Sequence, residues 1–212
     1  IKGVMNDFLI AGRAADHVES GRLEIRTGDG GTNTLLVTDS SVVSIVRADD
    51  RVAGLTTDDS AFIESANERF ENAWEDASEY PLRMPSLARV RETLAAELGA
   101  STADDFDRVL ASLETAGESR DEFDEVTIAL LVAARNEDLL YDISKWGEDV
   151  GIASKATFSR TKTKLEELGL IDTEKVPIDV GRPRLRLKFA DERLEEADAD
   201  ELIDIARSIL EA

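Results

Sequence analysis

The 212-residue sequence contains no cysteine and a single histidine, His17. Without cysteine, neither a disulfide framework nor a thiolate zinc site can form. A lone histidine has no second imidazole or thiolate with which to share a metal ion, so we expect an ordinary surface role for His17 and neither a metal nor a cofactor. An enzyme would then depend on carboxylates, which the composition explains in another way, and we expect no catalytic residues.

Long apolar runs are also missing. No stretch of about 18 apolar residues occurs, and no basic-plus-apolar leader precedes the first periodic segment. We therefore expect a cytoplasmic protein that has no membrane partner.

Cations are scarce in this chain. It carries 25 Lys and Arg against 46 Asp and Glu, for a net charge of −21, and only seven of the cations are lysines. Disorder is opposed by a 42% hydrophobic content with clear helical periodicity. The excess of acid predicts a protein adapted to high internal salt, hence a halophilic source. At molar salt the Debye length is about 3 Å, so attraction to phosphates is weak and contacts to base edges become more important.

The few cations are concentrated in one segment. Residues 154 to 188 hold nine cations and five anions, so this segment is +4 and the remainder of the chain is −25. Five of the seven lysines lie within it. Cations gathered in one place in an acidic protein favour double-stranded DNA as a partner.

The same region predicts a helix, a turn, a second helix and a β-hairpin. Apolar residues from Leu139 to Val150 recur on one helical face, and Gly151 ends that helix. Ser154 is a good N-cap for a second helix over 154–168, which Gly169 ends. Two short strands follow, over 170–176 and 184–189. This order predicts a winged helix-turn-helix domain over 119–190.

The second helix has two unlike sides. Phe158, Thr161, Leu165 and Leu168 fall on one side, which we expect to face the core. The other side is small, polar and cationic, and suits insertion in the DNA major groove. The candidate DNA-binding residues are Ser154, Lys155, Ala156, Ser159, Arg160, Lys162, Thr163 and Lys164 on the helix, with Arg182 and Arg184 on the wing.

Residues 1–118 predict an α/β sensor or dimerisation domain that ends in a helical bridge, so the fold class is α+β. We expect a strand at 8–12 leading into a helix, a strand at 22–26, and a turn at 27–33. Further strands are expected at 35–38, 42–46 and 52–55. A helix capped by Thr57 or Asp58 should follow, with Phe62, Phe70 and Trp74 in the core. Two more helices, around 87–98 and 102–115, complete the bridge, and we expect the domain joint at 117–121.

Residues 191–212 predict a C-terminal helix with a stripe formed by Leu202, Ile205, Ile209 and Leu210. A helix this short cannot bury its stripe alone. It can pack back on its own domain or dimerise. One recognition helix covers few base pairs, so we expect a homodimer that reads two half-sites.

The segments KATFSRTKTKLEELGLI and VGRPRLRLKF resemble archaeal winged-helix regulators, and the layout of the chain is similar to that of the haloarchaeal TbsP-type transcriptional regulators. The run LLVTDSSVVSIVRADDRVAGLTTDD, followed by a helix with Phe70 and Trp74, resembles the sensor part of TrmB-like sugar-responsive regulators. The order of domains differs from TrmB, and the H-x-K motif of the related phosphodiesterase fold is missing, so hydrolysis is not expected. The resemblance implies a transcription factor of central sugar metabolism whose N-terminal domain senses a metabolite.

A sugar-phosphate effector would need hydroxyls, backbone N–H groups and an arginine. The residue types available near strand ends and a helix start are Thr38, Asp39, Ser40, Ser41, Arg47, Arg51, Thr56 and Thr57. Two alternatives remain open. These residues can be ordinary turn and cap residues, and the winged helix can be a protein-assembly module that binds neither DNA nor a metabolite.

Overall fold

The computed structural model describes residues 8–28, 34–48, 51–82, 84–115, 123–178 and 183–211. The chain folds into two compact units. We call Leu23–Pro81 the sheet unit, and Ile1–Arg22 together with Leu82–Ala212 the helical unit. In chain order the elements are α1 (Phe8–Glu19), β1 (Arg26–Thr27), β2 (Thr34–Val37), β3 (Val42–Ala48), β4 (Arg51–Thr57), α2 (Ser60–Glu75), β5 (Ser78–Glu79), α3 (Leu87–Glu97), α4 (Ala100–Thr115), α5 (Glu125–Arg135), α6 (Leu140–Val150), α7 (Lys155–Glu167), β6 (Ile171–Val176), β7 (Arg184–Phe189), α8 (Glu192–Glu196) and α9 (Leu202–Leu210).

The sheet unit is built on an antiparallel sheet of order β2-β3-β4, and β1 pairs with β5 beside it. The three predicted strands are confirmed: β2 is shifted by one residue, and β3 and β4 are longer than predicted by two and three residues. The strand predicted at 22–26 is confined to Arg26–Thr27. Helix α2 covers one face of the sheet and buries Ile63 and Ala66 against Val42. Of the predicted turn at 27–33, residues 29–33 lie outside the described residues.

Two details of the predicted α2 are wrong. Its N-cap is Asp59, whose Oδ1 accepts the backbone N–H of Phe62 at 2.8 Å, and neither Thr57 nor Asp58. Its aromatic residues are exposed, with Phe62 at 55%, Trp74 at 40% and Phe70 at 37%. The physical reason is that the buried side of α2 is centred on Ile63 and not on Phe62. Ile63 faces the sheet, and Phe62 lies one residue, or about 100°, away from it around the helix.

The predicted strand at 8–12 is also wrong, because α1 begins at Phe8. Small residues allow this helix to lie close to α3, since a Cβ on Gly12 would come within 2.8 Å of the Leu87 side chain. Helix α1 in turn caps α3: Asp16 accepts the backbone N–H of Ala88 at 3.0 Å, and Glu19 accepts the Ser86 hydroxyl. A carboxylate is favourable at that helix end because it meets unpaired N–H groups.

Helix α5 is the centre of the helical unit, with every residue from Val126 to Ala134 buried. It contacts α4, α6, α7 and β7, which is the position of the first helix in a winged helix-turn-helix domain. The joint expected at 117–121 lies outside the described residues, and the helices on either side of it, α4 and α5, share one core.

Most of the C-terminal stripe is not free for a partner, although Leu210 is 40% exposed. Leu202, Ile203 and Ala206 of α9 are buried in the core of the helical unit, and Ile205 and Ile209 pack against it. Of the two alternatives for this segment, the structure shows packing back on its own unit, which contradicts a dimer held by this stripe. None of the described helices combines the length and apolar character that crossing a membrane requires.

Candidate nucleic-acid interface

Helices α6 and α7 form a tight helix-turn-helix. Gly151 ends α6 with a left-handed φ of 94°, a conformation that favours glycine. The helices approach closely at Gly147, where an added Cβ would lie 2.3 Å from the ring of Phe158. Phe158 is fully buried, so this contact fixes the position of α7 on α6.

The predicted second helix is confirmed as α7. Ser154 caps it by accepting the backbone N–H of Thr157 at 3.2 Å. Phe158 and Leu165 are buried and Thr161 is half-buried, whereas Leu168, expected in the core, is 41% exposed. Leu168 lies at the C-cap, where the chain leaves the helix, and this places it off the buried side. The opposite side, formed by Ala156, Ser159, Arg160 and Thr163, is exposed.

Arg160 lies on the exposed side of α7. Its Nε donates to the carbonyl oxygen of Ala156 at 3.3 Å and its Nη2 donates to Thr157 Oγ1 at 3.4 Å. Both bonds are long and stay within its own helix, so they hold the guanidinium only weakly. The Thr163 hydroxyl donates to the carbonyl oxygen of Ser159 at 3.1 Å.

The predicted hairpin is confirmed as the antiparallel pair β6 and β7. Leu139, just before α6, forms an additional bridge to Arg186 of β7 and ties the hairpin to the helix-turn-helix. Arg184 lies 4.3 Å from the ring centre of Tyr141 and donates to Asp142 at 3.2 Å. Arg182 lies outside the described residues.

Most described cations of the basic segment already have a carboxylate partner. The five ion pairs are Lys155–Glu148 (3.0 Å), Lys162–Glu166 (2.6 Å), Lys188–Glu174 (2.8 Å), Arg184–Asp142 (3.2 Å) and Arg186–Glu137 (3.8 Å). Lys164 and Lys175 have no ion pair with another described residue. The concentration of positive charge that the sequence shows is therefore largely neutralised in the fold.

The Lys155–Glu148 pair links the start of α7 to α6. Its hydrogen bond raises the pKa of Lys155 and lowers the pKa of Glu148, so both groups stay charged at neutral pH. Glu148 also accepts the backbone N–H of Lys155 at 3.3 Å. By contrast, Lys162 is only 13% exposed, and its Nζ is held by Glu166.

Asp138 joins three elements at the base of the hairpin. Its Oδ2 accepts the Thr102 hydroxyl of α4 at 2.9 Å, its carbonyl oxygen accepts the N–H of Leu187 in β7, and its N–H donates to Ala133 of α5. Burial raises the pKa of this carboxyl to about 6, and the Thr102 hydrogen bond opposes the rise only in part.

The structure does not bring the eight candidate effector residues together. Thr38 Oγ1 accepts the N–H of Ser41 at 3.0 Å and donates to the carbonyl oxygen of Ser41, which closes the turn between β2 and β3. The four residues of this turn, Thr38, Asp39, Ser40 and Ser41, lie at the same end of the sheet as Thr56 and Thr57, because Thr57 pairs with Val42.

The two arginines lie elsewhere. Arg47 pairs with Val52, and Arg51 with Ala48, at the opposite end of the β3–β4 hairpin. Ser41 is therefore about 20 Å from Arg47, at about 3.3 Å per residue. Because alternate residues of a strand point to opposite faces, Arg47 and Arg51 also start from different faces of the sheet. Arg47 and Arg51 therefore cannot join the Ser40–Ser41 turn in one effector site.

A groove of about 800 Å³ does lie beside that turn. Its lining contains five carboxylates and no cation: Asp39, Asp58, Glu64, Glu68 and Glu71, with Ser40, Ser60, Ile63 and Asn67. An anionic ligand would meet repulsion in this groove.

The sequence did not single out the side chains that hold the cations of this interface, namely Glu148, Asp142 and Tyr141. Asp142 and Arg184 are 42 residues apart, so only the folded hairpin brings them together. One available signal was the short spacing from Glu148 to Lys155 across the turn.

Together, α5, α6, α7 and the β6–β7 hairpin define a winged helix-turn-helix domain, a class of protein that binds DNA. The comparisons with protein families identify the particular branch. One family model, the C-terminal HTH domain of TbsP-like transcriptional regulators, matches residues 86–207. The N-terminal model of the same regulators matches residues 1–85. The chain therefore belongs to the TbsP-like transcriptional regulators. A search of curated proteins and a search of solved structures each returned no match.

Proposed function

We propose that this regulator reads double-stranded DNA with the exposed side of α7 in the major groove. One observation carries the proposal. α7 is capped at Ser154 and fixed in the core through Phe158 and Leu165, while its opposite side is exposed along the whole helix. A rigid helix with a free, small and polar side is what groove insertion requires.

Arg160 is the proposed reader of a base. An arginine that donates two hydrogen bonds to guanine O6 and N7 is the commonest specific contact in the major groove. The long hydrogen bonds of Arg160 within its own helix can be exchanged for such a pair at little cost. Ser159, Thr163 and Ala156 would make the neighbouring contacts to bases or to a thymine methyl group.

Phosphate contacts are assigned to Ser154, Lys155 and Lys164 on α7, and to Arg184 and Arg182 on the wing. Asp142 and Tyr141 would hold Arg184 in place for such a contact. Lys162 is the one candidate that we reassign, because its side chain is mostly buried and paired with Glu166. We propose that it stabilises α7.

The ion pairs suit a protein that works at high salt, and we propose a halophilic archaeon as the source. Each phosphate that a free cation neutralises releases counterions, and this release makes DNA binding sensitive to salt. A cation that already has a carboxylate partner contributes less to that release. Binding would then depend on base contacts and shape, and less on net attraction, in a chain with a charge of −21.

We further propose that the regulated genes serve central sugar metabolism, that a sugar phosphate modulates DNA binding, and that the factor is a homodimer acting in the cytoplasm. The resemblance to sugar-responsive regulators supports the first two points, as does the 85-residue N-terminal region outside the HTH match. Among the described residues, the candidate effector residues do not form a common pocket that would support them. If the effector exists, its phosphate would bind near Arg47 or Arg51 and away from the acidic groove.

Titration calorimetry of the full chain with a panel of phosphorylated sugars tests the effector. We expect heat from at least one member, and a weaker signal from Arg47→Ala or Arg51→Ala. By linkage, the mapped DNA site must change the affinity for that ligand by the same factor that the ligand changes the affinity for DNA. An absence of heat from the whole panel contradicts the effector proposal and leaves DNA reading untouched.

Genome-wide mapping of bound sites, followed by binding measurements on a mapped site at fixed high salt, tests DNA reading. A variant with Ser159→Ala, Arg160→Ala and Thr163→Ala should lose the preference for the mapped site and keep its helix content. The alternative, a winged helix that only assembles proteins, has one observation in its favour, namely that most described cations of the segment are already paired. It predicts no preference for any DNA, even with the unaltered protein.

A further inference from the structure

The outer edge of β4 is open. Within the described part of the chain, β4 pairs only with β3, over all seven of its residues and without a bulge. Six of its seven residues are exposed. The edge therefore presents a regular row of backbone N–H and C=O groups to solvent.

This edge also lacks the devices by which proteins usually block strand addition. Edge strands are commonly protected by proline, lysine, a bulge or an inward-pointing charge. The β4 sequence, Arg-Val-Ala-Gly-Leu-Thr-Thr, has no proline, no lysine and no acidic residue, in a chain with 46 Asp and Glu. The opposite edge strand, β2, is only four residues long. β4 is thus the edge suited to a partner strand.

Exposed apolar side chains border the edge on the face that α2 covers. Leu55 pairs with Ser44 and therefore shares a face with Val42 and Val46. Leu55 is 68% exposed and Val46 is 46% exposed. Phe62, next to the buried Ile63 on α2, is 55% exposed.

We infer that the partner strand is β4 of a second copy of this chain, paired antiparallel across a two-fold axis. The charges at the ends of the strand favour this occupant. Arg51 lies at one end, and Asp58 and Asp59 follow the other end. Pairing centred on Leu55 places Arg51 of each copy opposite Asp59 of the other copy and next to Asp58. Pairing centred on Gly54 places Arg51 opposite Thr57 and next to Asp58. Because of the two-fold axis, the same arginine–aspartate contact forms at both ends of the paired strands. The result is one continuous six-stranded sheet.

The inference rests on the proposed homodimer and goes beyond it by locating the interface. The β4 edge takes the place of the C-terminal stripe as the candidate dimer interface, because that stripe packs in its own unit. Apolar residues from both copies, namely Leu55, Val46 and Phe62, would cover one another on the helix-covered face.

Light scattering and sedimentation of the full chain over a range of concentrations at fixed high salt test the interface. Leu55→Lys should raise the dimer dissociation constant about tenfold or more, because it places a cation in an apolar contact. Leu36→Lys is the matched control, since Leu36 is also exposed, at 55%, and lies in the other edge strand of the same sheet. It should leave the dissociation constant unchanged, and circular dichroism should show both variants folded.

A charge exchange tests the ends of the strand. Arg51→Asp should weaken the dimer, and Arg51→Asp combined with Asp58→Arg should restore it. A dimer that Leu55→Lys leaves as strong as before overturns the β4 interface while the homodimer stands. Equal weakening by Leu36→Lys also overturns it. A chain that is monomeric at every concentration overturns both the interface and the homodimer, and DNA reading by α7 is then judged by its own variants.

Discussion

The helical unit and the sheet unit bury their residues in opposite ways. In the helical unit, α5 has nine consecutive buried residues, and charged groups around it are tied to neighbours by ion pairs. In the described part of the sheet unit, the buried cluster consists of Val42, Ile63 and Ala66, and β4 has six exposed residues of seven. A unit with so small a core gains little stability from its own packing. The helical unit is therefore stabilised by its own core, whereas the described part of the sheet unit has little core of its own.

The largest difference between the units should appear when a glycine is filled. Gly147→Ala forces a methyl group to within 2.3 Å of the buried Phe158 ring, so we expect a loss of about 3 kcal/mol in the free energy of unfolding. Gly54→Ala in β4 meets only Val43 Cγ1, at 3.3 Å, and should change stability by about 0.5 kcal/mol or less, since alanine is favoured over glycine in a strand. Urea unfolding followed by circular dichroism measures both. Similar losses for the two variants would remove the contrast in packing.

A second difference concerns carboxylates. The folded pKa of Asp138, about 6, lies above its ordinary value of 3.8, so the folded state binds this proton more tightly than the unfolded state does. The stabilisation is therefore fully present below pH 4 and is lost as the pH rises through 6. Asp138→Asn keeps an acceptor for Thr102 and should stabilise the protein at pH 8 by about 1 kcal/mol after allowing for solvent screening.

Thermal or urea unfolding of Asp138→Asn between pH 4 and pH 8 measures the effect. The gain should vanish towards pH 4, where Asp138 is protonated in the folded state. Asp39→Asn, at an exposed turn of the sheet unit, is the control and should show little gain at any pH. A gain for Asp138→Asn that is independent of pH would contradict the assigned titration.

The smallest effect should be a change in salt dependence. Glu148→Gln removes the charge partner of Lys155 but keeps an acceptor for the backbone N–H of that residue. Lys155 is then free to neutralise a phosphate, and the slope of log affinity for DNA against log salt should steepen by about 0.9. Glu24→Gln, which removes the ion partner of Arg26 in the sheet unit, is the matched control and should leave the slope unchanged. Equal slopes for Glu148→Gln and the unaltered protein would exclude Lys155 from the DNA contact.

The difference between the helical unit and the sheet unit also explains how much of the fold could be predicted from the sequence. Helix α7 was predicted because its signals are local: Ser154 caps it, Gly169 follows it, and Phe158 and Leu165 repeat at helical spacing. The β6–β7 hairpin was predicted from equally local signals. In the sheet unit, the sequence allows the apolar side of α2 to be centred on either Phe62 or Ile63. Only the contact with the sheet shows that Ile63 is the buried residue.

The candidate effector residues are separated for a related reason. The effector residues are close in sequence, but an antiparallel register places Ser41 and Arg47 at opposite ends of β3. The ion pairs that neutralise the basic segment join residues far apart in the chain, such as Asp142 and Arg184, so composition alone overstated its free charge. Local periodicity thus identified the elements, whereas long-range pairing determined which charges are free.

The central claim is that α7 reads DNA through Arg160, and the most direct test compares Arg160→Ala with Lys164→Ala. Both residues are exposed cations on the same helix, and neither has an ion pair with another described residue. Binding to the mapped site and to scrambled DNA is measured for each at the same high salt. Arg160→Ala should weaken binding to the mapped site by about 1–3 kcal/mol and barely affect scrambled DNA, whereas Lys164→Ala should weaken both equally. Unchanged discrimination by Arg160→Ala would contradict the claim.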